Sequence, residues 1–258
     1  LEGNTAVPLV SINGELKDGF DGQMAPTSHL LGAPYLLQVV ASFNEVVARS
    51  RLMRLAPGAV VQEHVDFNYH WYSRVRIHVP IITEPTVRFF CGTDEVHMAA
   101  GEAWLFDSWR RHRVINGSAD ERIHLVIDIA GSAAFWQMVR QVQRSEVPMT
   151  PQVTAFEPDL KPELITERFP FAPIMAPGEM SAIVAELLDD CRANPANDPH
   201  ILNYYHDVLF DLVHDWRRQW SLYGLTPEGI AGYQGLLQRT RSALKENPRV
   251  LVTQSNGV

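Results

Sequence analysis

Two stretches decide the fold class: Arg74-Val75-Arg76-Ile77-His78-Val79-Pro80-Ile81 and Arg122-Ile123-His124-Leu125-Val126-Ile127-Asp128-Ile129. In each, an aliphatic residue takes every second position. Successive side chains of a strand point to opposite faces, so this period of two predicts β-strands rather than helices. The same texture runs from Arg51 to Ile129, where short alternating runs are separated by Gly, Pro, Asn and Asp. Many short strands without intervening helices predict a sandwich or small barrel. The polar positions are notable in kind: Arg76 and His78 in one strand, Arg122 and His124 in the other. A solvated face of an antiparallel sheet explains them. So does a barrel interior lined with cations, which a buried dicarboxylate would need, because an arginine fork grips a carboxylate with two parallel hydrogen bonds.

Upstream of these strands lies Pro57-Gly58-Ala59-Val60-Val61-Gln62-Glu63-His64-Val65-Asp66. Residues two apart on a strand share a face, so His64 and Asp66 can reach one metal ion from a single strand end. His112 is the best third ligand, because it follows a strand-like run at Ala103–Phe106 and a turn at Asp107-Ser108. Two histidines and a carboxylate on one face of an octahedron leave three positions open, the pattern of non-haem iron(II) oxygenases. His70 and Trp71, in the aromatic segment 67–72, are candidates for substrate contact, or they close a hairpin. His97, His200, His206 and His214 read as surface or helix-face residues.

Outside the β region, Pro34 opens a helical pattern in which Leu37, Val40, Phe43 and Val47 share one face. Residues 1–33 look irregular. Seven prolines, at 148, 151, 158, 162, 170, 173 and 177, mark a rigid connector. Beyond it, Asp198-Pro199 and Thr226-Pro227 are helix starts and Gly224 a stop. Ile201, Tyr205, Val208, Leu212 and Trp216 trace one apolar face. The expected division is a β core with an N-terminal helix over 1–144, a connector over 145–177 and a helical region over 178–258.

With 46% hydrophobic and 20% charged residues, the 258-residue chain can build a core without a disulfide or metal staple. Cys91 and Cys191 suggest no disulfide or metal spacing and read as reduced thiols of a cytoplasmic protein. The formal net charge of -8 repels phosphate backbones, which argues against nucleic-acid binding. No run of apolar residues is long enough to span a membrane. The chain starts at Leu1 rather than methionine, so a trimmed or processed N-terminus is expected.

The ordered set Pro57-Gly58, His64, Arg76-Ile77-His78, Gly101-Glu102, Leu105-Phe106-Asp107, His112, Arg122 and Ile127-Asp128 resembles the aspartyl/asparaginyl β-hydroxylase family of 2-oxoglutarate oxygenases. Animal members have a glycine where this chain has Asp66. In that respect, and in its Pro34–Phe43 helix and general layout, the chain is similar to the bacterial proline cis-hydroxylases of the same superfamily. The resemblance implies a double-stranded β-helix (a jelly-roll, cupin-like core) with Fe(II) held by His64, Asp66 and His112. It implies that Arg122 pairs with the distal carboxylate of 2-oxoglutarate and that Arg76 and His78 also contact the cosubstrate. Met53 stands where the animal enzymes have a serine. The implied reaction consumes O2, releases succinate and CO2, and hydroxylates an amino-acid side chain: Asp or Asn in a peptide or protein, or a free amino acid such as proline. Two alternatives remain. One is a cupin-type metalloenzyme without 2-oxoglutarate, whose spacing Gly58, His64, His112 and Asn116 partly fit. The other is a non-catalytic binding protein on the same fold.

Overall fold

The structure is a computed structural model that describes residues 3–20, 22–66, 69–144, 153–169, 173–247 and 250–253. The chain forms two compact units, Leu1–Phe171 and Ala172–Val258. The described elements of the first are β1 (Asn4–Ile12), β2 (Met24–Pro26), α1 (Ser28–Leu31), α2 (Pro34–Ser42), β3 (Val47–Leu55), β4 (Val60–His64), α3 (Tyr69–Tyr72), β5 (Val75–Ile82), β6 (Val87–Cys91), β7 (Asp94–Val96), β8 (Trp104–Leu105), β9 (His112–Asn116), β10 (Arg122–Ile129) and α4 (Ala133–Arg144).

The strands make two sheets, ordered β2-β1-β3-β10-β5-β8 and β4-β9-β6-β7, with every pairing antiparallel. This is a double-stranded β-helix. The two alternating stretches quoted above are β5 and β10, neighbours at the centre of the larger sheet, with Ile127 opposite Ile77 and Asp128 opposite Arg76. Their aliphatic face packs outward, where Ile77, Val79, Leu125, Ile127 and Ile129 form one core with Leu37 and Val40 of α2 and Phe135 of α4. Their polar face turns inward. There a second core, of Leu55, Val87, Phe89 and Val114 with Trp104 and Phe106, joins the two sheets. The arginines and histidines of β5 and β10 are therefore not a solvated face. His78, Arg122, His124 and Asp128 are all buried.

Two local expectations are corrected. The segment before Pro34 is not wholly irregular, since β1 pairs along β3 and β2 along β1. A register shift between Pro8 and Val10 buries the consecutive Leu9 and Val10 and hides the period of two. The first long helix ends at Ser42, and Val47 opens β3 instead of closing a helical face. Asn44 takes φ 50°, a left-handed conformation that ends helices and that Asn tolerates better than most residues.

Part of the proline-rich stretch, including Pro148, Pro151 and Pro170, lies outside the described residues. Of the rest, Gln38 donates to the carbonyls of Glu157 and Leu160, and Val47 exchanges main-chain bonds with Ile165 and Glu167. The second unit holds α5 (Pro177–Ala193), α6 (Pro199–Tyr223) and α7 (Pro227–Glu246). Asp198 accepts from His200 N and Thr226 from Gly229 N, capping α6 and α7. Gly224, at φ 50°, ends α6. Met180, Val184, Leu188, Leu212, Trp216 and Tyr233 form the core of this unit. No helix among the described residues is long and apolar enough to cross a membrane.

Candidate metal centre

β4 ends at His64, β9 begins at His112, and the two residues are register partners. The rings lie 4.3 Å apart. Asp66 follows two residues after His64, with its main-chain N–H fixed on the Ser108 carbonyl at 2.9 Å. Ligand atoms of His64, Asp66 and His112 all fall within 4.8 Å of one another, a grouping that could hold a metal ion. His64 Nδ1 lies 2.8 Å from the carbonyl of Gln62, and His112 Nδ1 lies 2.8 Å from that of Arg110. A carbonyl can only accept, so both Nδ1 atoms carry protons and Nε2 is the ring nitrogen each histidine turns toward the other ligands. Histidine ligands are commonly oriented this way. Burial pushes the His112 imidazole toward its neutral form, which binds metal. The His64 ring is 42% exposed and Asp66 12%, so the centre opens on the His64 side. Two imidazoles and one carboxylate oxygen fit a divalent first-row metal in a facial set.

Arg76 reaches Asp66 from the facing sheet. Its Nη1 donates to Asp66 Oδ2 at 2.6 Å, while Nε and Nη2 donate to Asp128 Oδ1 and Oδ2 at 2.8 and 3.1 Å. Burial alone would raise the Asp128 carboxyl, but the Arg76 guanidinium, the His70 hydrogen bond and Arg49 hold it well below the usual range. His70 Nε2 stands 3.4 Å from Asp128 Oδ2, and Arg49 Nε stands 3.6 Å from it. The Trp71 ring lies 4.8 Å from the Arg76 guanidinium carbon. His70 and Trp71 thus border the same cluster as the triad. Phe67 and Asn68, beside them in sequence, lie outside the described residues.

Further along the inner face, Arg122 Nη2 lies 2.7 Å from His124 Nδ1. Arg122 is 5% exposed, and burial brings its guanidinium down to about 9. No carboxylate pairs with it among the described residues. Arg122 Nε, His124 Nε2 and both ring nitrogens of His78 are buried without a hydrogen-bond partner among the described residues. Burial, with Arg122 adding to it, keeps His78 and His124 neutral. Phe106 links this group to the triad, its ring 5.2 Å from that of His78 and 5.0 Å from that of His112. A buried, uncompensated cation ringed by unpartnered donors costs stability unless an anion completes it. These atoms fit a carboxylate.

Sequence reading passed over Arg49, Arg51, Asp18 and Phe20. Arg49 pairs with Asp18 at 2.8 Å, and its guanidinium carbon lies 4.4 Å from the Phe20 ring. The signal was the alternation of Arg49, Arg51 and Met53 along β3, where basic side chains mask the strand pattern. Asn116, which partly fitted cupin spacing, is occupied elsewhere. Its Nδ2 donates to the carbonyls of Leu55, Ala56 and Asp120, and its Oδ1 accepts from Ser118.

Residues 20–131 match the family model described as Aspartyl/Asparaginyl beta-hydroxylase. Among curated proteins, the chain is 28% identical over 180 residues to L-proline cis-3-hydroxylase 2 of Streptomyces sp, covering 64% of this chain and 57% of that protein. The chain thus spans less than two thirds of the length of the relative it matches. Among solved structures, a predicted oxalate decarboxylase from Thermotoga maritima is 22% identical, covers 35% of this chain and 71% of its own, and has a TM-score of 0.27. A cupin domain of an XRE family transcriptional regulator from Enterobacter cloacae is 12% identical, covers 50% and 97%, and has a TM-score of 0.31. At such scores the superpositions are partial, and the fold assignment stands on the sheet topology. The segment 20–131, which carries the triad and the buried arginines, is similar to the aspartyl/asparaginyl β-hydroxylase family.

Proposed function

We propose that the chain is an Fe(II)- and 2-oxoglutarate-dependent dioxygenase that hydroxylates an amino-acid side chain. One observation carries this reading: Phe106 packs on both the two-histidine, one-carboxylate cluster and the His78 beside Arg122, a buried guanidinium with no counter-ion among the described residues. A site for metal alone needs no such cation, whereas a dicarboxylate cosubstrate does.

His64 and His112 would hold iron through Nε2, and Asp66 through Oδ1. Arg122 would bind the distal carboxylate of 2-oxoglutarate, with the Nε2–H of His124 as a second donor and His78 beside them. Phe106, whose ring lies against those of His78 and His112, would give the bound cosubstrate an apolar wall between Arg122 and the metal ligands. Bound iron and 2-oxoglutarate together supply O2 activation and hydroxyl transfer to an unactivated C–H bond, with release of succinate and CO2. The family match favours Asp or Asn of a peptide or protein as substrate, and the relative's name favours free proline.

The test needs no substrate. Anaerobic titration of the metal-free protein with Fe(II) and 2-oxoglutarate is expected to give a visible metal-to-ligand charge-transfer band, weakened in Arg122→Ala. Iron binding without any band would overturn the 2-oxoglutarate reading and favour a cupin-type metalloenzyme.

A further inference from the structure

The Arg76 guanidinium is divided between two buried carboxylates, one a candidate metal ligand and the other not. Asp128 lies directly opposite Arg76 in the β10–β5 register, so the sheet itself builds their pairing. Two parallel hydrogen bonds fix the plane of the guanidinium, a geometry that a single contact cannot impose. The third nitrogen then points at Asp66 Oδ2 and leaves Oδ1, 3.8 Å from His64 Nε2, facing the space between the ligands. Asp66 is thereby limited to one ligating oxygen.

A cation this close to a metal ligand has two opposed effects. It orients Asp66, and it competes with the metal for the same carboxylate while adding a repulsive field. Asp128 decides the balance. It is 2% exposed and ionised, and it offsets the charge of Arg76 at hydrogen-bond distance. We propose that Asp128 is a positioning residue for the metal centre: by clamping and neutralising Arg76, it lets Arg76 orient Asp66 without drawing the carboxylate off the metal. This rests on the reading of His64, Asp66 and His112 as metal ligands. It also differs from the expectation that Arg76 contacts the cosubstrate, since all three nitrogens of its fork are engaged by Asp128 and Asp66.

Neutralising Asp128 changes both factors in the same direction. Arg76 would hold Asp66 more tightly, and its unbalanced charge would oppose a divalent cation. Removing Arg76 as well would lift both effects.

The experiment is Mn(II) titration of the metal-free full chain without cosubstrate, followed by loss of the free-ion EPR signal. Asp128→Asn is expected to weaken Mn(II) binding by about tenfold or more, the usual scale for losing a partner of a metal ligand. The double variant Asp128→Asn/Arg76→Met is expected to bind several-fold more tightly than Asp128→Asn, a recovery that damage to the fold alone would not give, while staying below the parent because Asp66 has lost its orienting contact. Parent-like affinity in Asp128→Asn overturns the proposal. So does a double variant as weak as the single one, because the loss would then not act through Arg76. If Asp128→Asn does not fold, Arg76→Lys decides, because a lysine keeps the charge but cannot take the two-point clamp of Asp128: a loss of about tenfold supports the proposal, and parent-like affinity overturns it. A parent protein that binds no Mn(II) overturns the metal-centre reading itself, which separates the two failures.

Discussion

Arg122 and His124 stand two residues apart on β10, with Arg122 Nη2 2.7 Å from His124 Nδ1. A guanidinium has no acceptor, so His124 Nδ1 must accept this bond and the imidazole proton must sit on Nε2. The pair therefore presents two buried donors without a partner among the described residues, Arg122 Nε and His124 Nε2–H, inside the β-helix.

That arrangement should burden the ligand-free protein. Replacing even a buried ion pair with apolar side chains of similar volume is often neutral or stabilising, by about 1–4 kcal/mol, and a buried cation without a counter-ion among the described residues has less attraction to lose. Arg122→Met is expected to melt at or above the parent temperature when ligand-free and to lack the upward shift expected of the parent with 2-oxoglutarate. Thermal melts with and without 2-oxoglutarate in the presence of Mn(II) check this. A clearly destabilised ligand-free variant would show that Arg122 has a structural partner, not a ligand, as its purpose.

Acid should weaken the fold well above the range where carboxylates titrate. His78 and His124 are held below the usual imidazole value, first by burial and then by Arg122. Above about pH 6.5 both are neutral whether folded or unfolded, and they contribute no pH dependence. Below it the unfolded chain takes up protons that the folded one refuses, so stability falls as pH falls, by up to ~1.4 kcal/mol per pH unit for each histidine. Asp128, held below the usual carboxylate range, adds its own loss only below about pH 4. Urea midpoints between pH 7.5 and 5 should decline, and His124→Asn should flatten the decline. An equally steep slope in that variant would rule out His124 as a source.

How far the site was legible in the sequence depended on whether local pattern or tertiary pairing created it. His64 and Asp66 were visible because strand spacing alone puts them on one face. The period of two in β5 and β10 was equally visible, but alternation says only which residues share a face, not whether that face meets water or a facing sheet. Burial of His78, Arg122 and His124 came from the second sheet, which no local signal announces. The Arg76–Asp128 clamp is a register relation between strands 52 residues apart along the chain. β1 was missed because the shift at Pro8–Val10 breaks the alternation where the eye needs it.

Asn116 offers a purely structural test. Its side chain is fully buried, and its amide ties β9 to the turn that leads into β10 and Arg122. Asn116→Ala would strip partners from the carbonyls of Leu55, Ala56 and Asp120, at an expected cost of about 3 kcal/mol. The check is denaturant unfolding, with Mn(II) affinity measured below the transition. Folded Asn116→Ala should still bind Mn(II). A specific loss of metal without loss of stability would revive a ligand role for this residue.

The two histidines of the centre should separate metal binding from stability. Both turn Nε2 toward the other ligands, so His64→Ala and His112→Ala are each expected to remove Mn(II) binding at concentrations that saturate the parent. Their structural surroundings differ. The His64 ring is half-exposed at a strand end, and substitutions at such sites usually stay within about 0.5 kcal/mol. His112 is buried, with its ring packed on Phe106 and close to Phe89, so truncation leaves a void between the sheets. A cost of roughly 1–2 kcal/mol is expected there, reduced by the release of a buried polar ring. Urea unfolding of the two metal-free variants measures the difference. Equal destabilisation would mean that the His64 end of the site is as enclosed as the His112 end, and the approach to the metal would then have to lie elsewhere.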